Sequence, residues 1–92
     1  MPKLRLATSQ FQVEKHPGRN IASIVRHMRT AKRRGAHLIH FPEACLTGYL
    51  GAELKSVSET DWDEVRECVE AVRELARELG LSVVLGANHR LT

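Results

Sequence analysis

The chain alternates short apolar runs with longer amphipathic segments, and this alternation restricts its fold more than any other feature. The apolar runs are Leu4 to Ser9, His37 to Phe41 and Leu81 to Leu85. Each has strand length and is followed by breakers: His16-Pro17-Gly18 as a turn after the first, Pro42 after the second, Gly86 after the third. Between the first two runs, Ile21, Ile24, Val25, Met28 and Ala31 recur at spacings of three and four. That stripe predicts a helix capped by Asn20, running to about Arg34 and stopped by Gly35. Between the second and third runs, Trp62, Val65, Val69, Val72, Ala76 and Leu79 repeat the pattern. Thr60 and Asp63 mark its start in the manner of a capping box, and Gly80 closes it. Arg66 with Glu70, Glu70 with Arg73, and Glu74 with Arg77 are the expected pairs on its polar face, worth only about 0.2–0.5 kcal/mol each. Strand, helix, strand, helix, strand with right-handed crossovers is an α/β fold, β-α-β-α-β, with all three strands parallel.

Composition narrows the function. With 92 residues the chain is one small domain, and 42% hydrophobic with 27% charged residues is a globular balance. No apolar run reaches the roughly 20 residues of a membrane helix. The start, Met-Pro-Lys-Leu-Arg-Leu-Ala, has no apolar core of signal-peptide length, so a soluble cytoplasmic protein with no membrane partner is expected. The formal charge is +3, and Arg26, His27, Arg29, Lys32, Arg33 and Arg34 form one dense basic cluster. Because the other face of that helix is apolar, the cluster reads as a solvated helix face. The four aromatics, Phe11, Phe41, Tyr49 and Trp62, do not interleave with it, so no nucleic-acid partner is expected. Cys45 and Cys68 lack a paired spacing and read as reduced thiols.

In a parallel sheet the carboxyl ends of the strands share one rim, where ligands of open α/β sheets bind. Gln10-Phe11, Phe41 to Thr47 and Gly86 to His89 fall on that rim. Among them Glu43 is the acidic group best placed for chemistry. Pro42 fixes the backbone beside it, and apolar neighbours would desolvate it and raise its proton affinity, which suits a general base. The same glutamate in a turn-capping or arginine-pairing role is equally compatible with the residues taken alone. The stretch from Glu43 to Thr60 has no clear period and reads as a long loop with room for a short helical turn, a length often associated with function.

Phe41-Pro42-Glu43, followed by Leu46-Thr47-Gly48-Tyr49 and preceded by the strand Gly35-Ala36-His37-Leu38-Ile39-His40, resembles the first catalytic motif of the nitrilase, or carbon–nitrogen hydrolase, superfamily. The opening strand with Ala7 and Gln10, and Val83-Val84-Leu85-Gly86 after a long second helix, resemble the same family. The resemblance spans essentially the whole chain. It implies a four-layer α-β-β-α sandwich of which residues 1–92 form the N-terminal, incomplete part, so that one face or edge stays uncovered. A domain of this size buries only about 60–65% of its unfolded surface, and the isolated chain is expected to be marginal, sticky or dependent on association.

The resemblance also implies a mechanism in which a glutamate, a lysine and a cysteine hydrolyse a non-peptide carbon–nitrogen bond of a small amide or nitrile, without cofactor or metal. The thiol attacks the carbonyl or nitrile carbon, the glutamate takes its proton, and the lysine stabilises charge on the substrate oxygen. Glu43 matches the first role. The other two motifs lie downstream of the third strand in the family; Lys3, Lys15, Lys32 and Lys55 are not in the lysine's context. Cys45 falls inside the glutamate's own motif and reads as a core thiol, and Cys68 as a packing residue of the second helix. An amidase, homo-oligomeric at full length and inactive as these residues alone, is the expectation. Its rival is a non-catalytic α/β binding or assembly module with a structural Glu43. A nucleotide-binding domain is disfavoured because no glycine-rich loop follows the first strand.

Other rim residues carry weaker expectations. Tyr49 shapes the pocket or anchors the loop. Asn88 and His89 contact substrate or a partner subunit, or serve the loop alone. His37, His40 and Glu43 would form a metal face on a helix, but residues three apart on a strand point to opposite faces, so no metal site is expected. His40 is expected to be buried and hydrogen-bonded near the site.

Overall fold

A computed structural model describes residues 3–14, 16–42, 45–48 and 61–86. Its elements run β1 (Leu6–Thr8), α1 (Pro17–Arg33), β2 (Leu38–His40), α2 (Trp62–Leu79) and β3 (Ser82–Val84). The three strands form one parallel sheet in the order β1-β2-β3, so the expected β-α-β-α-β fold is present. Leu6, Leu38 and Ser82 lie in register, as do Ala7, Ile39 and Val83, and Thr8, His40 and Val84.

Register and the two-residue period of a strand divide these rows between two faces. The middle row faces the helices: Ile39 is buried, and Ala7 and Val83 pack against the core. The flanking rows face away. Leu6 is 65% exposed and Val84 47%, with Leu4 beside them at 70%, so one side of the sheet carries apolar side chains without cover among the described residues. His40 belongs to this side and is exposed, which corrects the expectation of a buried histidine. The reason is its parity: one residue from inward-facing Ile39, it must point outward with Thr8 and Val84.

The core lies between the sheet and the two helices. Ile24, Met28 and Ala31 of α1 meet Val65, Cys68, Val72 and Leu75 of α2 above Ile39, Phe41, Leu46 and Leu81. Ile24 and Met28 are completely buried, and each contributes on the order of 1.5–3 kcal/mol by leaving water. The α2 stripe is rotated slightly from the predicted one: Cys68 and Leu75 are buried, whereas Trp62, Val69, Ala76 and Leu79 lie at its margins.

Both helices begin differently from expectation. α1 starts at Pro17, whose missing N–H costs nothing in a first turn and whose fixed φ suits the helix. The expected turn at His16-Pro17-Gly18 is thus the helix start, the His16 carbonyl accepting from Arg19 and Asn20 N–H at 3.0 and 3.2 Å. No side chain caps α1, and its first turn holds no acidic residue. Glu64 of α2 supplies the negative charge instead, accepting from Gly18 N–H at 2.6 Å. α2 is capped by Asp61, which accepts from Glu64 N–H at 3.1 Å. Thr60 lies outside the described residues.

The helix ends match expectation. Gly35 at φ 80° and Gly80 at φ 62° take up the left-handed conformation that favours glycine. Ala36 N–H then bonds to Ala31 carbonyl and Gly35 N–H to Lys32 carbonyl, closing α1. On α2, Glu70 with Arg73 and Glu74 with Arg77 pair at 3.0 and 2.5 Å. Arg66 bonds Asp63 rather than Glu70, one turn back from the predicted partner. The basic cluster of α1 is exposed except for His27, which turns inward.

Candidate active site

The rim at the carboxyl end of the sheet is built first by extending the ladder. Ser9 N–H bonds to His40 carbonyl at 2.9 Å, and Phe41 N–H to Val84 carbonyl at 3.0 Å. Phe41 places its ring in the core, 1% exposed, with its centroid 6.5 Å from that of Phe11 in an edge-to-face arrangement. Pro42 follows, half-buried.

The next described residues, Cys45 to Gly48, are all buried. Connecting segments usually run over the surface because buried backbone needs partners. Here the partners come from three directions. Cys45 N–H reaches back to Pro42 carbonyl at 3.2 Å, so the described residues on either side of 43–44 are drawn together. The Cys45 thiol lies 3.7 Å from Gly86 carbonyl, which ties the segment to the end of β3. Leu46 carbonyl accepts from Asn20 Nδ2 of α1 at 2.8 Å. Segments after β2 and β3 therefore meet at one rim, as parallel topology requires.

Cys45 is completely buried, and burial pushes its thiol up from 9.0 to about 11. A nucleophilic cysteine needs the opposite shift, because the thiolate is the reactive form. The described geometry therefore supports its reading as a core thiol. Cys68 is likewise buried, and burial followed by Glu64 and Glu67 raises its thiol. For a group whose folded pKa is raised, stability is complete below the unfolded pKa and is lost as pH climbs toward the folded one. The chain is accordingly expected to lose stability between about pH 9 and pH 11, and Cys45→Ala to flatten that decline. Urea midpoints at pH 8.5 and 10.5 measure it.

A part-buried polar cluster lies at the end of β1. Ser9 Oγ and His27 Nδ1 are 2.6 Å apart, and the Phe11 ring meets the imidazole edge-on with centroids 5.8 Å apart. Burial, then the neighbouring Arg26 charge, lowers the His27 pKa. An open groove of about 340 Å³ beside it is lined by Thr8, Ser9, Arg26, His27, Thr30 and Arg34 among others. Among the described residues, none of 41, 42 and 45–48 lines this groove.

Residues 5–91 match the carbon–nitrogen hydrolase family. The chain belongs to the carbon–nitrogen hydrolase family. No curated protein matches it significantly. The family match runs through every element of the fold, from the residue before β1 to beyond β3.

Within this carbon–nitrogen hydrolase chain, Glu43, Tyr49, Asn88 and His89 lie outside the described residues. Their flanks are described: Pro42 and Cys45 around Glu43, Gly48 before Tyr49, and Gly86 shortly before Asn88. His37 is exposed and accepts Arg5 N–H on Nδ1 at 2.9 Å, a bond that fastens the entry of β1 to that of β2. Among the described residues no three His, Cys, Asp or Glu side chains gather as metal ligands would. Among them, too, no helix is long and apolar enough to cross a membrane.

Sequence reasoning missed Asn20 as a site residue. Its signal was present: Asn20 stands four residues before Ile24 and eight before Met28, on the buried stripe of α1. A polar amide on an apolar stripe needs partners, and such a need points to a tether.

Proposed function

We propose that this chain contributes the glutamate base of a hydrolase that cleaves small-molecule amides, with Glu43 as the proton acceptor. The observation carrying this reading is the buried, three-way tethered segment 45–48 just after Glu43, at the rim of a parallel sheet, in a chain whose family match covers residues 5–91. A base works only when its backbone is fixed relative to the other reacting groups, and this connecting segment is anchored to β3 and α1 as well as to Pro42.

In the proposed reaction a cysteine thiol attacks the amide carbonyl carbon while Glu43 accepts the thiol proton. A lysine ammonium stabilises the oxyanion. The tetrahedral species collapses, the carbon–nitrogen bond breaks, and the proton held on Glu43 passes to the departing nitrogen. Water then hydrolyses the thioester, with Glu43 again accepting a proton, and the acid and free thiol are released. The lysine and cysteine are assigned to sequence beyond Thr92. Residues 1–92 are then one incomplete domain, and the bare sheet face of Leu6 and Val84 supports the four-layer sandwich in which a second sheet covers it. A cytoplasmic homo-oligomer completes the proposal, with Tyr49, Asn88 and His89 near the substrate.

Purified product of the complete reading frame is expected to release ammonia or amine from a panel of simple amides, faster than ammonia from the matching nitriles. The 92-residue chain alone is expected to be silent. A complete product that hydrolyses no amide, nitrile or carbamoyl compound overturns the assignment; amide hydrolysis by the 92-residue chain, abolished in Glu43→Gln, overturns the missing-nucleophile half of it.

A further inference from the structure

Asn20 is a buried polar side chain whose amide is engaged on both its nitrogen and its oxygen. It is 1% exposed and occupies the fourth position of α1. Its Nδ2 donates to Glu14 carbonyl at 2.6 Å and to Leu46 carbonyl at 2.8 Å, and its Oδ1 accepts Glu14 N–H at 2.8 Å. Both donor hydrogens of the amide are used, and they point at two carbonyls from segments 32 residues apart, 14 and 46. A leucine of similar volume would suit the stripe of Ile24 and Met28 but would leave those carbonyls without these bonds. An aspartate would set negative charge against both oxygens.

The position of the acceptor gives the amide its significance. Leu46 is three residues after Glu43 and is itself completely buried. On the near side, Phe41 N–H is held by Val84 carbonyl of β3. The described chain is therefore held at Phe41 by the sheet and at Leu46 by α1. Asn20 supplies a bond from α1 to that following segment.

We propose that Asn20 is a positioning residue for the catalytic base, holding Leu46 and with it the backbone downstream of Glu43 at the height the reaction requires. This rests on the role given to Glu43 above. Asn20 touches no reacting atom; it acts through the backbone. Because enzymes are sensitive to small misplacements of a reacting group, losing the tether is expected to lower turnover more than substrate affinity.

The test uses Asn20→Leu, which preserves packing volume, with Asn20→Ala beside it. In the 92-residue chain, iodoacetamide labelling of Cys45 and Cys68 is followed by mass spectrometry under folding conditions. Cys45 lies next to the tethered carbonyl, whereas Cys68 is on α2. The expected result is a rise in Cys45 labelling of about tenfold with Cys68 labelling changed by less than about twofold, the mark of local rather than global opening. Equal acceleration of both thiols, or of neither, overturns the positioning role, since the first marks Asn20 as a general stability residue and the second as dispensable. In the complete hydrolase, Asn20→Leu is expected to lower kcat by about 10- to 100-fold with KM within about threefold, and to add little to the loss in Glu43→Gln. An active parent enzyme whose kcat is unchanged by Asn20→Leu overturns the inference and leaves the proposed function standing. A parent with no hydrolase activity, yet with Cys45 labelling that responds, overturns the function and the positioning role together and leaves only a structural tether.

Discussion

Replacing Glu43 by glutamine is expected to lower kcat/KM for amide hydrolysis by about 10²- to 10⁴-fold in the complete enzyme, the usual worth of a positioned general base. Glutamine keeps the length and shape of the side chain and its capacity to accept a hydrogen bond, but its amide is not basic and cannot take the thiol proton. Substrate contacts should survive, so the loss belongs in kcat rather than KM. Glu43→Asp, which retains the carboxylate but withdraws it by one methylene, is expected to fall between parent and glutamine variant. Steady-state kinetics with one amide, at several pH values, check the series. A glutamine variant within about tenfold of the parent would remove Glu43 from the proton-transfer step and favour a hydrogen-bonding role for it.

Phe41→Ala is expected to destabilise the chain by about 3–5 kcal/mol, the range for removing a buried aromatic ring. The ring is 1% exposed, contacts Phe11 edge-to-face, and stands at the exit of the central strand, where sheet, α-helical layer and the 45–48 segment meet. Small domains hold only about 5–15 kcal/mol in reserve, and a chain with one sheet face uncovered among its described residues belongs at the low end. The variant should therefore be largely unfolded at 37 °C, while Phe41→Leu, which fills much of the space, should cost less than about half as much. Urea denaturation followed by circular dichroism measures both. A shift below about 1 kcal/mol for alanine would mean that the site collapses around the deletion and that Phe41 is not a keystone of this rim.

The order and type of all five elements were legible because periodicity depends only on local spacing. The stripes through Ile24 and Met28 and through Val65 and Val72 can be read without knowing what covers them. Errors arose where a residue's role depends on a distant segment. Asn20 has the chemistry of a cap, and read locally it is one; its actual partners, Glu14 and Leu46, become visible only once α1 lies against the 45–48 segment. His40 lies within the strand's apolar run in sequence, yet its burial depends on which sheet face the helices choose. His27 reads as one more member of a basic cluster until Ser9 and Phe11 are brought against it. The rim itself was legible, since parallel topology fixes which ends converge, and the Cys45–Gly86 contact joins two of the three expected segments. Glu43 is a reading of the sequence, and it lies outside the described residues.

Strand order in the sheet repeats strand order along the chain. Each strand therefore docks on the one synthesised just before it, and no strand has to be inserted between two already paired. β1, α1 and β2 can close while α2 is still being made, an interval on the order of seconds at ~5–20 residues per second. Throughout that interval the far edge of β2 is an open template, with Phe41 and its unsatisfied N–H at the end of it. The arrival of β3 seals that edge. The nascent chain is thus open to wrong pairing at the very strand that leads to Glu43, and slowing translation anywhere between β2 and β3 should lengthen that exposure.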